Sequence, residues 1–165
     1  MSQLTVYRAV WVDALALDAL LAGHPILPAG VASAEELSGL LTEGVRNFGS
    51  LRDAAIHHLT GSSGVAPNAF GRPLFTFWTR VREVALNRLE TSYADSMADV
   101  AVLITARIAR SAQVVVATEE GIYGERIFGG NSTVTFEDFA PEDEVFIAEP
   151  VVSYGIDIVC RKPRT

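Results

Sequence analysis

The chain is short of lysine and of positive charge. Among its 13 basic residues only Lys162 is a lysine, and 20 acidic residues leave a formal net charge of −7 over 165 residues. A protein that binds nucleic acid mainly through phosphate electrostatics usually carries the opposite sign. The negative net charge therefore disfavours a nucleic-acid-binding protein and a nucleic acid as the partner that is acted on. A local patch of arginines remains compatible with the composition.

Cysteine and long apolar runs are equally scarce. The single cysteine, Cys160, excludes an internal disulfide framework and a cysteine-rich zinc site. No run of about 18 uncharged apolar residues occurs, so no spanning helix and no membrane partner are predicted. Residues 1–8 lack an apolar segment behind a basic start. We therefore expect a cytoplasmic protein, or one delivered into a target cell without a visible signal peptide.

Several common chemical motifs are also missing. The sequence has no Gly-x-x-x-x-Gly-Lys loop, no Gly-x-Gly-x-x-Gly after a strand and no Gly-x-Ser-x-Gly. His57 and His58 are neighbours on a predicted helix, where adjacent side chains point about 100° apart and chelate one ion poorly. We expect no metal.

What is present predicts an α+β fold in a single domain over residues 1–165. Hydrophobic residues make up 49% of the chain, enough for a full core. Helices are predicted after three N-cap candidates, Asp13, Ser33 (with Glu36 completing a capping box) and Ser50. Predicted strands cover residues 5–11, 74–79, 100–108, 114–118, 133–137, 144–147 and 156–160, a helix covers 81–93, a loop covers 61–73, and glycine-rich turns cover 121–124 and 129–130.

Three local features carry candidate chemistry, and the first is Tyr7-Arg8 in the opening strand. An arginine inside an otherwise apolar strand costs desolvation unless its guanidinium finds a partner, and its planar fork suits a phosphate or carboxylate. The alternative is an arginine that points to solvent from the polar face of an edge strand.

The second feature is the aromatic strand that contains Thr76, Phe77 and Thr79 and continues directly into a helix. Hydroxyls beside flat aromatic surfaces suit a planar ring such as nicotinamide. The alternative is a buried strand whose Thr79 merely caps the next helix.

The third feature is the acidic pair Glu142 and Glu144 at the start of a strand. In an extended segment residues two apart face the same side, so the two carboxylates are predicted to project together. Either they form an active-site pair, or they belong to a solvated acidic turn.

In this order the three features resemble the mono-ADP-ribosyltransferase superfamily, specifically its Arg–Ser/Thr–Glu branch, which includes many bacterial toxins. The resemblance spans residues 6–147 and implies split antiparallel sheets, with N-terminal helices, around a cleft for NAD. By position, Arg8 with Tyr7 resembles the arginine strand that holds NAD, and Thr76, with Phe77 and Thr79 nearby, resembles the start of the Ser-Thr-Ser motif.

The resemblance also implies the catalytic residues and the partners. Glu144 resembles the catalytic glutamate of Glu-x-Glu, Glu142 resembles the upstream glutamate that favours an arginine acceptor, and residues 128–141 resemble the target-recognition loop. The implied activity is transfer of ADP-ribose from NAD to a protein by a toxin or effector, which an immunity protein would bind. The sequence departs from the family at Thr76-Phe77-Trp78, which lacks two of the three hydroxyls, and Glu149 is a competing carboxylate. The alternatives are an NAD glycohydrolase of the same fold and a non-enzymatic phage or secretion-apparatus module.

Overall fold

The computed structural model describes residues 3–54, 74–94, 96–109, 114–118, 121–124 and 140–163. Its helices are α1 (Ala14–Leu21), α2 (Ala34–Phe48) and α3 (Arg82–Ser92), and residues 51–54 are also helical. Its strands are β1 (Gln3–Val12), β2 (Thr76–Trp78), β3 (Val100–Ala109), β4 (Val114–Thr118), β5 (Gly121–Gly124), β6 (Glu144–Ile147) and β7 (Tyr154–Arg161). The predictions for His57, His58, the loop 61–73, the turn 129–130, the strand 133–137 and most of the segment 128–141 lie outside the described residues.

All three predicted N-caps are confirmed. The Asp13 carboxylate accepts a hydrogen bond from the first turn of α1 at 2.7 Å, and Ser33 accepts from the Glu36 amide at 3.1 Å. The Glu36 carboxylate reaches back to accept from the Ala32 amide at 2.7 Å, and Ser50 accepts from the turn that follows it at 3.0 Å. Each bond satisfies an amide that the helix itself leaves unpaired.

The described strands form two antiparallel sheets, which confirms the α+β class at that level. One sheet, the β1 sheet, has the order β1-β3-β7, and the other, the β2 sheet, has the order β2-β6-β4-β5. The turn expected at residues 121–124 is wrong, because this segment is strand β5 and pairs with β4 through Ile122 and Tyr123. The two glycines lie at its ends, and the residues between them are of the β-branched and aromatic kind that favours strands.

Buried side chains from both sheets and α1 pack together as an inter-sheet core. Its members are Val6, Val12, Leu17, Trp78, Val100, Val102, Ile104, Ala106, Ile108, Val114, Val116, Val145, Ile147 and Val151. Trp78 has 0% of its surface exposed. Removing a side chain of this kind from water contributes about 1.5–3 kcal/mol, so this layer holds the two sheets face to face.

A second cluster, the outer core, covers the opposite face of the β2 sheet. Its buried members are Leu51, Ala54, Leu74, Phe75, Val115, Phe146 and Ala148, and α2 adds Leu40, Leu41 and Phe48 at its margin. Phe77 meets Phe146 edge to face, with 5.0 Å between the ring centroids. Helix α2 and the helical residues 51–54 therefore pack on one side of the β2 sheet, and the β1 sheet packs on the other.

Helix α3 lies against β1 and is fixed there by side chains from distant parts of the chain. The Trp11 indole nitrogen donates to the Leu89 carbonyl at 3.0 Å, and the Trp11 ring meets the Tyr93 ring edge to face at 5.3 Å. The Lys162 ammonium lies 4.9 Å and 4.6 Å from the centroids of those two rings. It also donates to the carbonyls of Tyr93 and Ser96, each at 2.7 Å, where the carbonyl end of a helix favours a cation.

Candidate functional site

Arg8 lies on the inward face of β1, in the row of residues that faces the inter-sheet core. Val6 and Val10 flank it on that face, and Ile104 lies opposite on β3. Burial lowers the pKa of the Arg8 guanidinium from its usual value. Within the described part of the chain, its side chain has no hydrogen bond and no ion pair. The alternative of a solvent-facing arginine is therefore wrong, although β1 is an edge strand as that alternative assumed.

The two sheets are joined next to Arg8. Tyr7 and Thr79 exchange backbone hydrogen bonds of 2.8 and 2.9 Å in an antiparallel bridge. Arg8 directly follows Tyr7 and Trp78 directly precedes Thr79, and both residues belong to the rows that face the inter-sheet core.

The hydroxyls of the aromatic strand are already engaged. Trp78 donates its indole N–H to the Thr76 hydroxyl at 2.7 Å, and Thr76 donates to the Ile147 carbonyl at 3.5 Å. Both Thr76 and Thr79 are buried, and Thr79 donates to the Val81 carbonyl at 2.9 Å. Helix α3 has Val81 at its N-cap and no side-chain cap, so Thr79 does not cap it as the alternative expected.

Glu144 opens β6 and forms an ion pair with helix α3. Its Oε1 atom lies 3.2 Å from Nη2 of Arg88, and the two side chains are 42% and 40% exposed. On the pairing strand Trp78 lies opposite Val145, the residue that follows Glu144, and Thr76 lies opposite Ile147. Thr76 is three residues further along, about 10 Å at the usual rise of a strand.

Glu142 lies in a turn, and the extended conformation expected for it is wrong. The Ala140 amide donates to the Asp143 carboxylate at 2.7 Å, and the Asp143 amide donates to the Ala140 carbonyl at 3.1 Å. An aspartate that bonds to nearby backbone in this way is typical of turns. Strand β6 begins only at Glu144, so the alternation argument does not apply to Glu142, whose side chain is exposed.

The structure brings several of the candidate residues together around β2. Tyr7 pairs with Thr79 on one side of this strand, and Trp78 lies opposite Val145 on the other. Successive side chains leave a strand from opposite faces. Arg8 therefore points into the inter-sheet layer, whereas Glu144, which precedes the inward-facing Val145, leaves β6 from the opposite face and meets Arg88.

This arrangement allows two kinds of chemistry. On the inward side, the desolvated guanidinium of Arg8 suits a phosphate. At the start of β6, the half-exposed Glu144 carboxylate can stabilise a developing positive charge. Because β2 lies between β1 and β6, the backbones of Arg8 and Glu144 are two strand spacings apart, about 10 Å.

Arg88 is a residue that the sequence analysis missed. It stands on α3, whose polar residues look like an ordinary solvated helix face, and it contacts Glu144 only because β2 and β6 pair. No local pattern around Arg88 predicts this contact.

The residues that the structure describes contain neither a metal-binding group nor a membrane-spanning helix. Among the described residues, no group of three or more histidine, cysteine, aspartate or glutamate side chains is arranged to hold an ion. No helix in that part of the chain has both the length and the apolar character needed to cross a bilayer. In comparisons with known proteins, no family model, no curated protein and no solved structure matches this chain.

Proposed function

We propose that the protein is an NAD-dependent mono-ADP-ribosyltransferase that transfers ADP-ribose to a protein, preferentially to an arginine side chain. The observation that carries this proposal is Arg8, a desolvated guanidinium on the inward face of β1 without an ion pair among the described residues. A desolvated guanidinium that has no carboxylate partner among the described residues costs stability, so its presence favours a role in binding an anion. The pyrophosphate of NAD supplies that anion.

The neighbouring residues fit the rest of the dinucleotide. Phe77, which is only partly buried, lies two residues before Thr79 of the Tyr7–Thr79 junction and offers apolar surface for the nicotinamide ring. Thr76 acts through Trp78, since its hydroxyl accepts the indole N–H and holds the ring in place. Thr76 is thus a positioning residue in this proposal, and the missing hydroxyls of the Ser-Thr-Ser pattern are replaced by aromatic surface.

Glu144 supplies the electrostatic part of the reaction. The bond between the ribose carbon and the nicotinamide nitrogen breaks, and nicotinamide leaves as a neutral ring with the bonding electron pair. The sugar develops oxocarbenium character, which a nearby carboxylate stabilises. An acceptor nitrogen then forms the new bond to the ribose carbon and releases one proton. The exposed Glu142 in the adjacent turn is placed to accept a hydrogen bond from an incoming guanidinium.

The test combines two readouts with one pair of variants. Wild type, Glu144→Ala and the control Glu90→Ala are incubated with labelled NAD, once with cell lysate and once alone. Glu90 is an exposed carboxylate on α3 and serves as the matched control. We expect wild type and the control to label protein and release nicotinamide, and Glu144→Ala to lose both activities by about 100-fold or more.

Each alternative outcome has a definite meaning. Equal labelling by wild type and Glu144→Ala removes Glu144 from the mechanism. Nicotinamide release at the same rate with and without lysate, and without protein labelling, assigns the site to an NAD glycohydrolase. Absence of nicotinamide release together with absence of NAD binding by wild type rejects the proposal in favour of a non-enzymatic module.

A further inference from the structure

We infer that Arg88 is a positioning residue that restrains Glu144, so that the catalytic carboxylate must leave its ion pair before it acts. The inference rests on the proposed function and adds a controlling residue to the same site. It starts from the 3.2 Å contact between Nη2 of Arg88 and Oε1 of Glu144.

The location of Arg88 is set by the packing of α3 and not by the ion pair. Leu89, the next residue, is buried, and its carbonyl accepts the Trp11 indole N–H at 3.0 Å. Lys162 ties the end of the same helix to Trp11 through the carbonyl of Tyr93. The helix therefore presents the Arg88 guanidinium to β6 from a fixed backbone position.

The ion pair holds the Glu144 carboxylate in one rotamer. Val145 faces the inter-sheet core, so strand alternation directs Glu144, its neighbour, to the other face of β6 whether or not Arg88 is present. Glu144 is 42% exposed at the start of the strand, so an unpaired side chain there is free to change rotamer, whereas the paired one stays 3.2 Å from Nη2 of Arg88.

The pair also weakens the carboxylate as an electrostatic catalyst. A carboxylate whose charge is balanced by a neighbouring guanidinium stabilises a developing oxocarbenium ion less than a free one does. Both the held rotamer and the charge balance therefore predict that Arg88 slows the chemical step. Because the two side chains are about two-fifths exposed, the pair opens easily and the restraint is a matter of a few-fold in rate.

The test measures nicotinamide release from NAD by the full chain. Arg88→Gln removes the charge, Arg88→Lys keeps it, and Arg82→Gln is the matched control, since Arg82 is an exposed arginine on the same helix. We expect Arg88→Gln to raise kcat roughly twofold to fivefold while KM stays within about twofold. Arg88→Lys and Arg82→Gln should stay near wild type, and all four proteins should have the same thermal midpoint within about 2 °C.

The dependence of kcat on ionic strength supplies a second measurement. Raising the ionic strength screens a half-exposed ion pair, so the kcat of wild type should rise toward that of Arg88→Gln, whose own kcat should not change. High salt should also weaken the binding of the dinucleotide phosphates. That change raises KM and leaves kcat unaffected, so the two kinetic constants distinguish it from screening of the ion pair.

The outcomes separate the inference from the proposed function. A kcat for Arg88→Gln that is equal to or lower than that of wild type overturns the restraint, provided that wild-type activity depends on Glu144. Activity that appears only in Arg88→Gln supports it. Absence of nicotinamide release from wild type and all variants rejects the proposed function, and the inference with it.

Discussion

Tyr7 and Thr79 exchange two backbone hydrogen bonds, 2.8 and 2.9 Å long, and thereby join the edge strand of one sheet to the first strand of the other. Strand β2, which ends beside Thr79, also pairs with β6. This single junction brings residues from the beginning, the middle and the end of the chain within a few strand positions of one another. The candidate site depends on it more than on any one side chain.

Replacing Arg8 by methionine should stabilise the protein while abolishing NAD binding. Burial lowers the pKa of Arg8 in the folded state, so at neutral pH the charged group is held more favourably by the unfolded chain. A neutral side chain of similar length removes this penalty, and we expect a gain of roughly 1 kcal/mol in the free energy of unfolding. Urea unfolding at pH 7 measures the gain, and calorimetric titration with NAD measures the loss of binding.

The exposed Arg82→Met variant is the control for the Arg8 substitution, and it should leave both stability and binding unchanged. A loss of more than about 1 kcal/mol in Arg8→Met would show that the guanidinium is well compensated in the folded protein, against the prediction.

The Trp78–Thr76 hydrogen bond should appear as a coupling energy in a double-mutant cycle. Thr76→Val leaves the buried indole N–H of Trp78 without its 2.7 Å acceptor, so we expect a loss of about 2 kcal/mol. In a Trp78→Phe background, the same substitution should cost roughly 1 kcal/mol less, because no donor remains. Urea unfolding of the four proteins gives the coupling.

Thr105→Val provides the reference for the threonine substitution. Thr105 is a half-buried strand threonine on β3 whose hydroxyl has no hydrogen bond within the described residues. Its replacement should change stability by less than about 0.5 kcal/mol. Additive effects at Trp78 and Thr76 would mean that the two side chains do not interact.

Lys162, the one lysine of the chain, should be a major stabilising residue. Its ammonium donates two hydrogen bonds of 2.7 Å at the end of α3 and lies over the rings of Trp11 and Tyr93. Lys162→Met keeps most of the apolar stem but removes these contacts, so we expect a loss of about 2 kcal/mol in the free energy of unfolding. Guanidinium unfolding followed by circular dichroism measures the loss, and Arg161→Met, at an exposed neighbouring position, should have little effect.

Stability should fall at alkaline pH through Tyr154. Its hydroxyl donates to the carbonyls of His24 at 2.6 Å and Leu20 at 3.2 Å, and burial raises its pKa above the usual value. The unfolded chain therefore loses the phenolic proton first, and the stabilisation that is complete below about pH 10 is lost as pH rises through the raised pKa. The thermal midpoint of wild type should drop as the pH rises above about 10, and that of Tyr154→Phe should fall less steeply. Parallel curves for the two proteins would contradict the assignment.

Much of the local structure follows from short stretches of sequence. The N-caps at Asp13, Ser33 and Ser50 were predicted correctly, because capping depends on residues three or four positions apart. The strands with β-branched runs, such as β3, were also predicted, since such residues favour a pleated, buried surface. Segment 121–124 was missed because two glycines were interpreted as a turn, although the residues between them pair with β4.

In the candidate site, too, some features follow from local sequence and others depend on contacts between distant residues. That Arg8 belongs to an apolar strand and needs a partner could be inferred from its neighbours alone, and the structure places it on the inward face. That Thr76 accepts the Trp78 indole N–H, and that it lies opposite Ile147 and not Glu144, depends on the tertiary structure and on the register between β2 and β6. The turn at Glu142 depends on hydrogen bonds between Ala140 and Asp143, which the acidic run did not predict.

The sequence by itself determined the acidic, cysteine-poor composition, the helix starts, most strands and the residue types able to bind an anion and stabilise a cation. Only the tertiary structure decided which of these residues meet. The Tyr7–Thr79 bridge, the Arg88–Glu144 pair and the hold of Lys162 on α3 all join positions more than 50 residues apart in the chain. Local propensity acts over a few residues, whereas contacts at this separation form only when burial of the inter-sheet core offsets the entropy of closing long loops.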